Sequence, residues 1–481
     1  MSSLFPALAA TATGTDRVAL RFGERSLTYG QLRDAAGALA LRIDGAERVA
    51  LWAGPTLETA VGVVAALLAG VPVVPLNPRT GERELAHIVA DSGPTAVLTA
   101  PDDQLPTALQ LLRRIDITVT GTAGKLPPEP AAESPALIVY TSGTTGPPKG
   151  AVLPRRAVAA SLDALQDAWQ WSSDDVLVHA LPLFHVHGLI LGVLGPLRRG
   201  GEVRHLGRFS PKGVARELAS GGTMLFGVPT MYHRLAEALD GDAELTKALA
   251  GARLLVSGSA ALPLPDHARI AEATGRRVIE RYGMTETLMN TSVRVDGEAR
   301  PGTVGVPLRG VELRLVDEDG TEIAARDGET IGEIQVRGDN LFTEYLNRPD
   351  ATAAAFDGDW FRTGDMAVRE PDGYVRIVGR RTTDLIKSGG YKIGAGEIEN
   401  VLLDHPAVRE AAVTGEPDAD LGERVVAWIV AADPADPPSA EELTGHVASQ
   451  LAPHKRPRVV RFLDVLPRND MGKIMKRALH G

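Results

Sequence analysis

The chain contains no cysteine. That absence removes disulfides, thiolate nucleophiles, cysteine-ligated zinc and iron–sulfur clusters together. Aromatic residues make up only 4%, so the core must be built mostly from Ala, Val, Leu and Ile. Lysine is scarce as well: nine of the 51 cationic residues are lysine and the rest arginine. Positive charge is not in excess. Over 481 residues the net charge is −10, which argues against a nucleic-acid binder with its basic stripe. A local cationic cluster that takes small anions remains compatible with that balance. No hydrophobic run reaches the ~20 residues of a membrane-spanning helix; the longest, Val61 to Leu76, is interrupted by Gly70, Pro72 and Pro75. The stretch Met1 to Pro6 has no basic residue before its short apolar segment, so no secretory leader is read there. The expectation is a soluble, cytoplasmic protein that engages neither membrane nor nucleic acid.

The length suits two to four domains, and the 51 Gly and 33 Pro supply many turns. The first half alternates strand-like and helical stretches. Arg48–Trp52, Val71–Pro75, Ala96–Thr99, Ala136–Tyr140 and Val176–His179 read as buried strands, and Thr56–Leu68 as a helix. Thr28 is placed to cap a further helix. This alternation predicts α/β units around a largely parallel sheet. Past Pro301 the pattern becomes strictly alternating, as in Val311–Val316 and Gly332–Arg337, with turn signals at Asp317–Gly320 and Pro371–Tyr374. An antiparallel β subdomain is expected there. From residue 380 on, strand-like Asp384–Ile393, a helix near Glu397–Asp404, strands at Glu410–Gly415 and Val425–Val430, and a helix capped by Ser439 with Glu442 predict a small α+β domain. The fold class is therefore mixed α/β and β, with a large domain over 1–379 and a small one over 380–481.

The segment richest in chemistry is Tyr140-Thr-Ser-Gly-Thr-Thr-Gly-Pro-Pro-Lys-Gly150, directly after a strand. Its hydroxyls and flexible backbone can turn several donors toward one phosphate. It is not a Walker A loop, because Gly150 and not Ser or Thr follows Lys149. Five of the nine lysines (Lys149, Lys387, Lys392, Lys473, Lys476) lie in this segment or in those described next.

With this loop the chain resembles the adenylate-forming acyl-CoA synthetases, relatives of luciferase and of peptide-synthetase adenylation domains. Five further segments follow in that family's order: Leu181–Gly188 (Leu-Pro-Leu-Phe-His-Val-His-Gly), Glu280–Thr287 (Glu-Arg-Tyr-Gly-Met-Thr-Glu-Thr), Phe361–Asp365 (Phe-Arg-Thr-Gly-Asp), Gly379–Gly390, and Pro467–Lys476 (Pro-Arg-Asn-Asp-Met-Gly-Lys-Ile-Met-Lys). Together they cover nearly the whole chain. The resemblance implies a reaction in which a carboxylate attacks the α-phosphate of ATP, expels pyrophosphate, and is then transferred to CoA. ATP, Mg²⁺ and CoA are the cofactors and co-substrates it implies. Cations and oriented donors must face the phosphoryl oxygens.

Carried over residue by residue, the resemblance assigns Thr141, Ser142, Gly143, Thr144, Thr145 and Lys149 to the phosphates. Glu280, Arg281, Tyr282, Gly283, Met284 and Thr285 go to the nucleotide, and Asp365 to the ribose hydroxyls. The hinge segment is one residue longer than the common pattern, so Arg380 or Arg381 meets the ribose, with Arg380 preferred. Glu286 is the magnesium ligand, aided by Thr145; hard carboxylate oxygen suits that ion. Lys473 is the catalytic lysine, a compact cation in a glycine-containing loop, and a possible target of a protein lysine acetyltransferase. Lys387, Ser388, Gly389 and Gly390 lie along the CoA arm, and His185 near the pantetheine exit.

The acyl pocket is read from residues beside these segments. An amino-acid-activating relative needs an Asp just after the channel phenylalanine, but Phe184 is followed by His185. Pro229 starts a helix on which Thr230 and Arg234 share a face. An arginine directed into the pocket would pair bidentately with a second substrate carboxylate. The segments around Phe184, Gly227–Arg234, Ser257–Ala260 and Arg281–Asn290 are similar to those of malonyl-CoA synthetases, some of which accept methylmalonate. That resemblance assigns Arg234 and Ser259 to the distal carboxylate, His187 to the acyl group, and Met284 to the α-substituent. Two alternatives stand beside malonate: another short-chain acid, or loading of a carrier protein in trans, as no residues follow Gly481 to form a fused carrier.

Overall fold

The computed structural model describes residues 3–9, 14–122, 128–141, 147–380, 384–469 and 472–479. Two large sheets form the body. In the first, seven-stranded sheet, Val49–Trp52, Val73–Leu76, Ala96–Thr99, Arg113–Asp116 and Pro135–Thr141 are parallel, and Lys149–Pro154 returns antiparallel. The second has nine strands with a parallel centre of Glu202–His205, Val176–His179, Met224–Gly227, Leu254–Ser257 and Val278–Met284. Strands buried on both faces read as continuous apolar runs, and Leu254–Ser257 and Met224–Gly227 are buried at every position. The expected helix starts are in place. Thr28 makes a full capping box with Gln31, and Thr56 caps the helix Leu57–Ala69 by accepting from the Thr59 amide.

Val311–Val316, Gly332–Gly338, Trp360–Arg369 and Val375–Arg380 form the expected antiparallel sheet. The last part of the chain builds its own five-stranded sheet with helices Ala395–Leu403 and Ala440–Gln450 around a separate apolar core that includes Ile386, Ile398, Val413, Val425 and Leu443. The Ser439–Glu442 capping box is present.

One expectation needs correcting. Asp384–Ile393 is a hairpin, not one strand: Leu385–Ser388 pairs back on Tyr391–Gly394. The two turn residues are Gly389 and Gly390, with φ of +57° and +83°, the left-handed pair a two-residue hairpin turn demands. Among the described residues no helix is long and apolar enough to cross a membrane.

Candidate active site

Ligands of open α/β sheets gather beyond the carboxyl ends of the strands. Here four neighbouring parallel strands each deliver a segment to that edge. Val176–His179 runs into Leu181–His187, Met224–Gly227 into the helix Pro229–Ala238, Leu254–Ser257 into Gly258-Ser259, and Val278–Met284 carries Arg281 through Met284 itself.

One side of this edge is built on the few aromatics the chain has. Trp169, Trp171 and Phe226 pack ring to ring, and His187 lies 6.4 Å from Phe226 between centroids. His187 opens an eight-residue π-helix, His187–Leu194, a rare element found mostly at functional sites. Its Nδ1 is 3.4 Å from the Ser259 hydroxyl, while its Nε2 is buried without a partner among the described residues. Ser259 holds φ at +76°, a conformation that costs a non-glycine residue about 1–3 kcal/mol and concentrates at ligand sites.

Arg281 completes this side. Its guanidinium lies against Gly258, where an added Cβ would fall 2.4 Å from Cζ. It is buried, and Nε and Nη2 have no partner among the described residues. Burial pulls its pKa down to about 10. A buried guanidinium without an anion is a costly state, and its charge is felt at both His185 and His187. Sequence reasoning grouped Arg281 with the nucleotide residues; the structure sets it against Gly258, with its charge felt at His185 and His187. Its signal was hidden because burial without a partner is a tertiary property.

Desolvation, with Arg281 adding to it, pushes His185 down to about 4 and His187 well below its usual range. Burial does the same to His205, to about 4, and to His179. All four are therefore neutral in the fold at physiological pH, and unfolding lets each take up a proton below its ordinary value near 6.5. The unfolded state binds more protons there, so stability is complete above pH ~6.5 and falls as the pH drops toward 4. Each histidine contributes up to about 1.4 kcal/mol per pH unit. Urea midpoints measured from pH 7.5 to 4.5 should be level at first and then decline steeply; a level profile throughout would contradict neutral burial.

A second cluster centres on Asp365 and Glu286. Asp365 and Arg380 are cross-strand partners. Arg380 Nε is 2.7 Å from Asp365 Oδ1, and the Tyr282 hydroxyl donates to Oδ2 at 2.6 Å. Burial raises the Asp365 pKa, while Arg380, Tyr282 and Lys473 oppose that rise. Glu286 is buried, and the Tyr345 hydroxyl donates to its Oε1 at 2.8 Å. The Lys149 ammonium sits 4.1 Å above the Tyr345 ring. Lys149 pairs across the hairpin with Thr141, the final residue of its strand. Gly283 is required by space, since a Cβ there would fall 1.8 Å from the Leu288 carbonyl oxygen. Met284 packs partly buried against the main core, and Thr285 is buried.

Lys473 is exposed on a short hairpin in which Arg468 bridges to Ile474. The Lys473 amide donates to Asn469 Oδ1 at 2.9 Å, and its carbonyl accepts from the Asn469 amide at 2.9 Å. Lys476 is half-buried, with its ammonium 2.8 Å from Asp384 and 2.7 Å from Glu399.

The remaining expected site residues have other partners, are buried or are exposed. The Glu280 carboxylate accepts from the Leu262 and Gly302 amides and pairs with His267 at 3.1 Å, so it braces the loop after Ser259. Lys387 pairs at 3.1 Å with Glu318, outside the cleft, and Gly389 packs on Leu421. Ser388 is buried. Arg234 is exposed and forms no ion pair among the described residues. Ser142, Gly143, Thr144, Thr145 and Arg381 lie outside the described residues.

Comparison with known proteins identifies the family. The family described as AMP-binding enzyme matches residues 7–346, and the AMP-binding enzyme C-terminal domain matches residues 397–473. The chain is 35% identical to a malonate–CoA ligase of Arabidopsis thaliana over 541 aligned positions, covering 98% of this chain and 87% of that protein. It is 72% identical to a malonyl-CoA ligase solved as a ternary product complex with methylmalonyl-CoA and AMP, covering 96% of this chain and 100% of that one, with a TM-score of 0.76. With ATP-bound MatB from Rhodopseudomonas palustris it shares 34% identity, covers 99% of this chain and 98% of that one, and reaches a TM-score of 0.90.

Proposed function

This chain belongs to the AMP-binding enzyme family, and we propose that within it the protein ligates malonate, and also methylmalonate, to CoA through an acyl-adenylate. The observation that carries the substrate choice is the buried, unpaired Arg281 beside His187 and Ser259. A monocarboxylate would leave that guanidinium without a counter-ion. A dicarboxylate brings one carboxylate to Arg281, Ser259 and Arg234 and presents the other to ATP. The relatives named as malonate or malonyl-CoA ligases support the same reading.

In the first step an oxygen of the free carboxylate forms a bond to the α-phosphorus, and the bond to pyrophosphate breaks. Lys473 bridges the attacking carboxylate and the α-phosphoryl oxygens, and Asp365 with Arg380 holds the ribose. Glu286 fits Mg²⁺: it is a buried carboxylate with one oxygen engaged by Tyr345. No group of three or more possible ligands stands together among the described residues, which suits an ion that uses few protein ligands and completes its shell with water and phosphate. When bound, the ion neutralises charge on the phosphates. In the second step the CoA sulfur bonds to the acyl carbon and AMP leaves. Lys387 through Gly390 line the CoA arm.

For that second step we take residues 380–481 to move as a body, with Gly379 and Arg380 at the boundary. The comparisons support this. The 72%-identical product complex superposes less well than the 34%-identical ATP-bound enzyme, the reverse of what sequence divergence produces and what a different domain arrangement does.

Incubated with ATP, Mg²⁺ and malonate but no CoA, the protein should accumulate malonyl-AMP and pyrophosphate, and added CoA should discharge the adenylate. Glu286→Gln should need about tenfold more Mg²⁺ for half-maximal adenylate formation, equal to the ~1.4 kcal/mol of one charge-assisted contact. Absence of any acyl-adenylate would refute the proposed route. An unchanged Mg²⁺ requirement would remove Glu286 from the metal site.

A further inference from the structure

The helix Pro229–Ala238 carries the acyl-anchoring Arg234, and its exposed face also meets the hairpin of the catalytic lysine. Gly472, the residue before Lys473, sits so near Thr230 that an added Cβ would lie 3.1 Å from Thr230 Oγ1. Gly472 has φ of +77°, so the close approach and the turn both call for glycine. One helical turn on, His233 faces the same domain. Its Nδ1 is 3.1 Å from Asp266 on the neighbouring helix, and its Nε2 is 3.5 Å from Glu237 on its own helix. The charge of Glu410, on the strand Val408–Asp418, is also felt at His233. Glu410 in turn pairs with Arg468, whose other nitrogen donates to the Gly472 carbonyl at 2.7 Å. Arg468 therefore ties Glu410 to the backbone beside Lys473.

We propose that the helix Pro229–Ala238 is the dock for the lysine hairpin, with Thr230 and His233 acting as positioning residues for Lys473. This rests on the adenylate-forming reading above. Three residues within i, i+3 and i+4 then serve two purposes: Arg234 holds the acid, and Thr230 and His233 hold the lysine that acts on it. The dock is tightest when His233 is protonated and opposes Glu410. The hydrogen bond to Asp266, together with Glu237 and Glu410, raises the His233 pKa, so the attraction is complete at low pH and fades as the pH rises through that titration.

Malonate-dependent exchange of pyrophosphate into ATP, followed from pH 6 to 9, tests this. Wild type should lose part of its exchange kcat with rising pH. His233→Gln should lack that limb and run about two- to fivefold slower near pH 6.5, the effect an ion pair of this exposure supports, with the KM for malonate unchanged. Glu410→Gln should match it, and the double variant should be no worse than either single one. Thr230→Met should lower kcat more than KM rises, while Thr230→Ser retains wild-type behaviour. A wild-type pH profile in His233→Gln, or additive losses in the double variant, would overturn the dock even if Thr230→Met fails to fold. Lack of malonate-dependent exchange in the wild type would instead refute the substrate reading, and the pH comparison would then use the acid the protein accepts.

Discussion

Lys473→Ala should abolish formation of malonyl-AMP and leave discharge of preformed malonyl-AMP to CoA within a few-fold of wild type. Negative charge grows on the α-phosphoryl oxygens as the carboxylate attacks, and an aimed cation stabilises that state more than the ground state. The Lys473 charge is felt at Asp365, the residue proposed to hold the ribose. The Lys473 backbone is fixed by Asn469 at both the amide and the carbonyl, and its side chain is exposed and free to extend. Loss of such a donor costs about 10²–10³-fold in rate. Thioester formation breaks the mixed anhydride without building charge on a new phosphorus bond, and it does not need this lysine. Single-turnover assays of each half-reaction separate the two. Equal losses in both would contradict the assignment.

Arg281→Met should cost malonate adenylation about 10²–10³-fold in kcat/KM and at the same time raise the melting temperature of the free protein. The loss corresponds to the ~3–4 kcal/mol that removing one partner of a buried charge pair commonly costs. The gain in stability follows from the empty site. There the guanidinium is desolvated, with Nε and Nη2 unpartnered, and an isosteric apolar side chain relieves that state. The substrate's distal carboxylate supplies the missing counter-ion, so binding and burial offset each other only when a dicarboxylate is present. Arg234→Ala should lower malonate activity by a smaller factor, because Arg234 is exposed and water already solvates it, and it should spare butyrate activity. A destabilised Arg281→Met protein that still prefers malonate would contradict the role assigned to Arg281.

Much of this was legible in the sequence because it is local. The helix cap at Thr28, the capping box at Ser439, the strand before the phosphate loop, and the alternation that begins at Val311 are short-range patterns, and the structure reproduces them. The cross-strand meeting of Asp365 with Arg380 could not be read from spacing alone, yet both residues had been singled out. What stayed hidden depends on neighbours far along the chain. Glu280 sits in a recognisable segment, but the Leu262 and Gly302 amides and His267 occupy its carboxylate. Arg281, next to it, points the other way along an alternating strand and ends beneath Gly258. The glycine pair at Gly389-Gly390 has a sufficient reason in hairpin geometry, whatever it contacts when CoA binds. The left-handed Ser259 and the π-helix starting at His187 leave no mark in composition.

The central claim is that a buried cation selects a dicarboxylate for adenylation. CoA- and ATP-dependent AMP release with malonate, methylmalonate, acetate, butyrate and a medium-chain acid, each at the same concentration, tests it most directly. Malonate and methylmalonate should outrun every monocarboxylate by at least the tenfold that one charge-assisted contact supplies, about 1.4 kcal/mol. Faster AMP release with a monocarboxylate would leave the ligase chemistry in place and show that Arg281 and Arg234 do not anchor the substrate.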